Sequence, residues 1–216
     1  LKRAIAKAPG WAAIKEYLDA GRTVIGIDEV GRGAWAGPVV AGAVILKAGT
    51  RIAGVNDSKL VTALARSRLE TIIHRRAVAT SLGWVTSAEI DANGLSWAIA
   101  ESGRRALAGI DTANAVIILD GKWNYLRNTH DSVAIVKADS RVLPVAAASI
   151  LAKVARDTAM QKLDLDWPDY GFATHVGYGT AMHQQALLTL GITQHHRRSV
   201  KPVAAGLAKL DADFGS

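Results

Sequence analysis

Three short apolar runs in this 216-residue chain give way to carboxylates. Thr23–Ile27 runs into Asp28 and Glu29, Ala115–Leu119 into Asp120, and Val133–Val136 stops just short of Asp139. Unbroken apolar runs of this length, bounded by turn residues, read as buried strands. If those strands neighbour one another in a sheet, all the carboxylates meet at one edge. Like charges repel and burial adds a desolvation cost, so such a cluster needs an offsetting cation. Carboxylate oxygens suit hard divalent ions. Gly31-Arg32-Gly33 follows the first pair directly and offers backbone N–H groups and a guanidinium to a phosphate or sugar. This combination points to metal-dependent chemistry on a phosphodiester, in which two cations about 4 Å apart clamp the attacking water and the leaving oxygen.

Each acidic site also has a plainer reading. Asp120-Gly121 between apolar runs is a hairpin-turn signal. Asp139-Ser140 ahead of Pro144 suits a helix start, and Asp28-Glu29 alone suits a surface turn. The functional reading gains from coincidence, because all three sites follow apolar segments.

The rest of the chain alternates strands and helices. Pro38–Leu46 reads as a strand that can pair with the first as a hairpin, and Leu82–Thr86 as a third. Asn56-Asp57-Ser58 is a turn, and Thr62 is an N-cap candidate for a helix with Leu64, Leu69, Ile72 and Ile73 at helical spacing. Asp91 is a cap candidate for a helix carrying Leu95, Ile99, Leu107 and Ile110. Pro144 suits the first turn of a helix through Ile150 and Val154 toward Met160. A glycine-rich loop, Gly171 to Gly179, precedes a short helix with Met182, Leu187 and Leu188 inward, and Pro202–Phe214 reads as a last small helix. Strands first, then strands alternating with helices, predict an α/β fold with a mixed sheet flanked by helices.

A net charge of +7 favours a polyanionic partner. No apolar stretch is long enough to span a membrane and no leader is visible, so no membrane association and a cytoplasmic location are expected. The absence of cysteine removes thiolate and Cys-type zinc chemistry. The histidines His175, His183, His195 and His196 lack a compact metal-ligand spacing; His195-His196-Arg197-Arg198 reads instead as a phosphate-facing basic patch. Of the tryptophans, Trp11, Trp84, Trp97 and Trp167 read as packing residues, and Trp35, beside the Gly-Arg-Gly turn, as a substrate-contact candidate.

An ordered series of stretches resembles bacterial ribonuclease HII, the type 2 ribonuclease H family. They are Gly26–Gly33 with Ala36-Gly37-Pro38, Asn56–Lys59, Leu119–Gly121, Lys137–Asp139, Ala147–Val154 with Arg156-Asp157, Tyr170–Phe172, His175–Thr180 and His196-Arg197. The resemblance implies a ribonuclease H-like fold, with a core over about 22–165 and a small helical extension over about 166–216, in one domain spanning 1–216. It implies cleavage of the RNA strand of RNA–DNA hybrids, and cleavage 5′ of single ribonucleotides in duplex DNA, leaving 5′-phosphate and 3′-hydroxyl ends. It places the metal-binding and catalytic acids at Asp28, Glu29, Asp120 and Asp139, with two Mg²⁺ or Mn²⁺ ions. Asp139 is preferred over Asp157 because it directly ends a strand, whereas Asp157 lies well inside a predicted helix. Gly31, Arg32 and Gly33 would read the ribose 2′-hydroxyl, Tyr178 the RNA-to-DNA junction, and Lys59 a backbone phosphate. Ala34 and Trp35, the segment Thr193–Arg197 and Val200 depart from the family pattern. A monomer is expected, and a replication-clamp contact is compatible with the tail. The rival readings are a junction resolvase on the same fold and a non-catalytic nucleic-acid-binding protein.

Overall fold

The computed structural model describes residues 8–55 and 61–205. A five-stranded sheet forms the centre, in the order β3-β2-β1-β4-β5. Its strands are β1 (Thr23–Val30), β2 (Val39–Leu46), β3 (Ala77–Val85), β4 (Ala115–Asp120) and β5 (Ser132–Ile135). β1 and β2 form the expected antiparallel pair, β2 and β3 extend it, and β4 and β5 add on in parallel. The sheet is therefore mixed, as the order of elements predicts.

Side chains alternate between the faces of β1. Ile25 and Ile27 join Ala41, Ala43, Ile117 and Leu119 on one face, beneath Ala106 and Leu107 of α4 (Leu95–Leu107). Val24, Val116 and Ile118 lie on the other with Val142 and Val145. That second face is covered by the long helix α5 (Leu143–Asp166), which has Pro144 in its first turn and runs on past Met160. A Cβ at Gly26 would run into the backbone of Pro144 and Val145, so glycine there lets α5 lie against β1. The first two turns of α5, Leu143 to Ile150, are buried along their whole circumference.

Around this centre lie α1 (Lys15–Asp19), α2 (Ala63–Arg76) and α3 (Ser87–Asn93). After α5 come the short α6 (Phe172–His175) and α7 (Ala181–Leu190). Thr62 caps α2 as expected, its hydroxyl accepting from the Ala65 N–H. Leu69 and Ile73 face the core, whereas Leu64 and Ile72 are exposed, which narrows the expected apolar stripe to one side. β3 starts five residues before the expected Leu82, and Thr86 is not a strand residue. Its hydroxyl and Glu89 form a reciprocal capping box at the start of α3.

Asp91 is not a helix cap. It lies within α3, and its carboxylate accepts from the N–H groups of Arg198 and Ser199, tying the C-terminal segment down. In α7 Leu187 is buried, but Met182 and Leu188 are exposed, because the helix is short and only one side meets the core. The expected Gly171–Gly179 loop contains α6. Asn56-Asp57-Ser58-Lys59 lies outside the described residues, and of the expected Pro202–Phe214 helix only the part up to residue 205 is described, as helix. No helix among the described residues is long and apolar enough to cross a membrane.

Candidate active site

The sheet register brings the acidic residues together. Ile27 pairs with Leu119 as the last parallel couple between β1 and β4, so Asp28 and Asp120 come next on adjacent strands. Asp139 does not end a strand: β5 stops at Ile135, and Asp139 sits in a 3₁₀ turn, Ala138–Ser140. The turn is tied to β4, because the Ala138 N–H donates to Asp120 Oδ1 at 2.7 Å. Asp139 still lies close enough for its charge to act on Asp28.

Asp28 is buried and accepts a hydrogen bond from Ser149 on α5. Burial first, and then the charges of Glu29, Asp120 and Asp139, push its carboxyl well above the usual range. Burial also raises Glu29; the Arg32 guanidinium opposes the shift and Asp120 adds to it. Glu29 is held between two donors, Arg32 Nη1 at 3.1 Å from Oε1 and the Tyr125 hydroxyl at 3.4 Å from Oε2. Burial and the neighbouring Glu29 and Asp28 charges hold the Tyr125 phenol in its protonated form, well above its ordinary value. Asp28, Glu29, Arg32, Asp120, Ser149, Lys153 and Tyr178 line one cleft of about 450 Å³.

As placed, no three His, Cys, Asp or Glu side chains among the described residues form a ready metal cage. The carboxylates are instead turned to protein donors: Asp28 Oδ1 to the Glu29 N–H, Asp120 to Ala138, and Glu29 to Arg32 and Tyr125. The donor chemistry fits a hard divalent cation, being carboxylate oxygen in a place where negative charge is costly.

Gly31 adopts φ +96°, and a Cβ there would press on the Pro38 carbonyl oxygen, so the turn needs glycine internally. Gly33 differs: a Cβ there would meet nothing within 4 Å. Residues 34–37 then thread between two C-terminal segments. Ala34 bridges Tyr178, the Trp35 N–H donates to the Gly177 carbonyl at 2.8 Å, and the Gly37 N–H to the His195 carbonyl at 2.9 Å. Trp35 is a half-buried wedge under Gly179 and beside the His183 ring, 5.4 Å away between centroids, so packing explains it without substrate.

Two buried arginines lock this crossing. Arg156 donates to the carbonyls of Pro38, Ala36 and Val176, and its guanidinium carbon lies 5.4 Å from the Tyr178 ring centroid. Arg197 donates to the carbonyls of Gly37 and Arg32. The expected phosphate-facing patch at 195–198 is thus corrected: His196 and Arg197 are each 1% exposed and serve as internal struts, and Arg198 is the exposed residue. Asp157 pairs with Lys153 and Arg66.

The sequence assigned no individual role to Ser149, Lys153, Arg156 or Tyr125, and gave Arg197 a surface role in the 195–198 patch. The α5 residues had a signal, since Ser149, Lys153 and Asp157 recur at i, i+4, i+8 in an otherwise alanine-rich apolar helix. Tyr125 had none, and the internal role of Arg197 was hidden, because both depend on which loops meet. Lys59 lies outside the described residues.

A mixed five-stranded sheet flanked by helices, with carboxylates gathered at the mouth of β1 and β4 beside a basic turn, places the chain in the ribonuclease H class of fold. The family model described as Ribonuclease HII matches residues 25–203. A Ribonuclease HII from Nitrosococcus oceani is 46% identical over 184 residues, covering 85% of this chain and 90% of the relative. The ribonuclease H2 structure from Pyrococcus horikoshii OT3 superposes with a TM-score of 0.74 at 25% identity, covering 87% of this chain and 98% of that one. The ribonuclease HII in a PCNA complex from Archaeoglobus fulgidus superposes with a TM-score of 0.72 at 25% identity, covering 88% and 100%. The chain belongs to the ribonuclease HII family, and it is an endoribonuclease that acts on RNA–DNA hybrids. The junction-resolvase and non-catalytic readings give way to that assignment.

Proposed function

We propose that this enzyme cuts RNA strands in RNA–DNA hybrids and also cuts 5′ of single ribonucleotides embedded in duplex DNA, leaving 5′-phosphate and 3′-hydroxyl ends. The observation that carries the site is one cleft lined by Asp28, Glu29, Asp120, Arg32 and Tyr178. Asp28, Glu29, Asp120 and Asp139 would hold two divalent ions, Mg²⁺ or Mn²⁺. When bound, such ions activate water and stabilise charge on the phosphate. Ser149 fixes Asp28, and the Ala138 N–H fixes Asp120, so both carboxylates are oriented before substrate arrives.

Gly31, Arg32 and Gly33 read the ribose 2′-hydroxyl, the group that separates RNA from DNA at one position. Gly33 is exposed and has no internal need for glycine, which supports close approach of a sugar there. Tyr178 stands at the rim of the same cleft with Arg156 behind its ring, which suits a ring that packs on the nucleotide at the RNA-to-DNA junction. Lys59 contacts a backbone phosphate. The core over about 22–165 and the extension over about 166–216 work as one domain, bound through residues 34–37. The enzyme works as a cytoplasmic monomer, and a replication clamp is a candidate partner by analogy with the PCNA complex of the Archaeoglobus fulgidus relative.

The test offers a duplex with one ribonucleotide, its all-DNA twin and a four-way junction, each with and without Mg²⁺. Cleavage is expected only of the ribonucleotide duplex with Mg²⁺, and Asp120→Asn should abolish it while leaving the far-ultraviolet circular dichroism unchanged. Normal turnover by folded Asp120→Asn would refute the site.

A further inference from the structure

Glu29 has two tethers of different character. Arg32 is 58% exposed in its side chain and belongs to the turn that faces substrate. The Glu29 side of this pair is 5% exposed, but the guanidinium itself stands in water, where a substrate phosphate can compete for it. Tyr125 reaches Glu29 from the other direction, from the loop that follows β4. Its ring packs with the cluster of Ile27, Leu119 and Leu126, on the α4 face of the sheet. Gly103 of α4 makes the seat: a Cβ there would come within 2.8 Å of the Tyr125 ring. Trp123 closes the outer side edge-on, with ring centroids 5.5 Å apart.

This geometry explains why Glu29 stays with the cluster although it lies on the other face of β1 from Asp28. Successive strand residues point to opposite sides, so nothing in the strand itself turns Glu29 toward Asp120. A phenol fixed by packing on the same face as Glu29, in the loop that Asp120 opens, instead fixes where on that face the carboxylate stands. When Arg32 turns to substrate, the Tyr125 hydroxyl remains.

Resting on the assignment of Glu29 as a metal ligand, we propose that Tyr125 is a positioning residue, seated by Gly103, that orients the Glu29 carboxylate for cation binding. It touches neither substrate nor the reacting phosphate. Its effect runs through Glu29, so it should appear in cation affinity and in turnover, and not in affinity for nucleic acid.

The test measures Mn²⁺ binding by the free-ion electron paramagnetic resonance signal, without nucleic acid, in wild type, Tyr125→Phe, Glu29→Gln and the double variant. Tyr125→Phe keeps the ring and loses only the hydroxyl. It is expected to weaken Mn²⁺ binding about three- to tenfold, as loss of one hydrogen bond of ordinary net worth should, the hydroxyl standing a long 3.4 Å from Glu29 Oε2. Its thermal midpoint and its affinity for an all-DNA duplex should match wild type. In the Glu29→Gln background the same change should do nothing further, because the coupling runs only through that carboxylate. Wild-type Mn²⁺ affinity in Tyr125→Phe, alongside weakened binding in Glu29→Gln, overturns the positioning role and leaves the site assignment standing. An equal Tyr125→Phe effect in both backgrounds also overturns it. Unweakened binding in Glu29→Gln overturns the site assignment and the inference with it.

Discussion

Lowering the pH from about 7 to about 5 should loosen the C-terminal module through two buried histidines. His196 Nδ1 accepts from the Thr193 N–H at 2.9 Å, so its proton sits on Nε2, 3.0 Å from His183 Nε2. His183 Nε2 must then accept, which puts its proton on Nδ1, facing the Tyr178 carbonyl oxygen at 3.0 Å. A further proton on either ring would set two N–H groups against each other or against a backbone donor. Burial, reinforced at His196 by the His183 charge, lowers both from 6.5 to about 4.

The unfolded chain binds protons at these positions below about pH 6.5 and the folded chain does not. The stabilisation is therefore present at neutral pH and is lost as pH falls from about 6.5 toward 4. Between about pH 7 and 5 the linkage amounts to roughly 2 kcal/mol per ring, with about 4 kcal/mol as the ceiling for the contacting pair. That is a large share of the roughly 5–15 kcal/mol that holds a domain folded. Asp28 and Glu29, with raised values, titrate in the opposite sense, so the assay must isolate the histidines. Urea unfolding of wild type and of His183→Gln/His196→Gln at both pH values does so. Wild type should lose about 2–4 kcal/mol more than the double variant between the two pH values. Equal losses would refute the tautomer chain.

Three further outcomes follow from the site. Tyr178→Ala should slow cleavage at a single embedded ribonucleotide more than it weakens binding to plain duplex DNA, read by gel-based cleavage and by fluorescence anisotropy. Arg197→Met leaves the Gly37 and Arg32 carbonyls without their donor and should cost about 3 kcal/mol or more in urea unfolding. Asp28→Asn removes a carboxylate whose charged form is disfavoured in the fold. Without divalent ions it should raise the urea midpoint at neutral pH, and the gain should fade as pH falls toward the ordinary carboxylate range near 4.

The sheet was legible in the sequence because its strands are unbroken apolar runs, and Thr62 and Pro144 marked helix starts through local chemistry. Asp28, Glu29 and Asp120 were legible because they follow such runs directly, whereas Asp139 sits beyond the end of β5 in the Ala138–Ser140 turn. What lay beyond reach depends on loop-to-loop packing. Gly94 stands at the N-cap of α4 in place of Asp91, which lies inside α3 and whose carboxylate instead holds Arg198 and Ser199 more than a hundred residues on. His196 and Arg197 read as a surface patch because charged residues are usually solvated. Their partners, Gly37, Arg32 and His183, come near only after the chain folds back on itself. Leu64, Met182 and Leu188 misled because short amphipathic helices leave part of an apolar stripe to solvent.

A crystal of the protein soaked in Mn²⁺ and measured for anomalous scattering tests the central claim most directly. Anomalous peaks are expected within carboxylate-bonding distance of Asp28, Glu29, Asp120 and Asp139, with the Glu29 carboxylate turned away from Arg32. Manganese bound elsewhere, with Asp120 still held by Ala138 and touching no ion, would contradict the account.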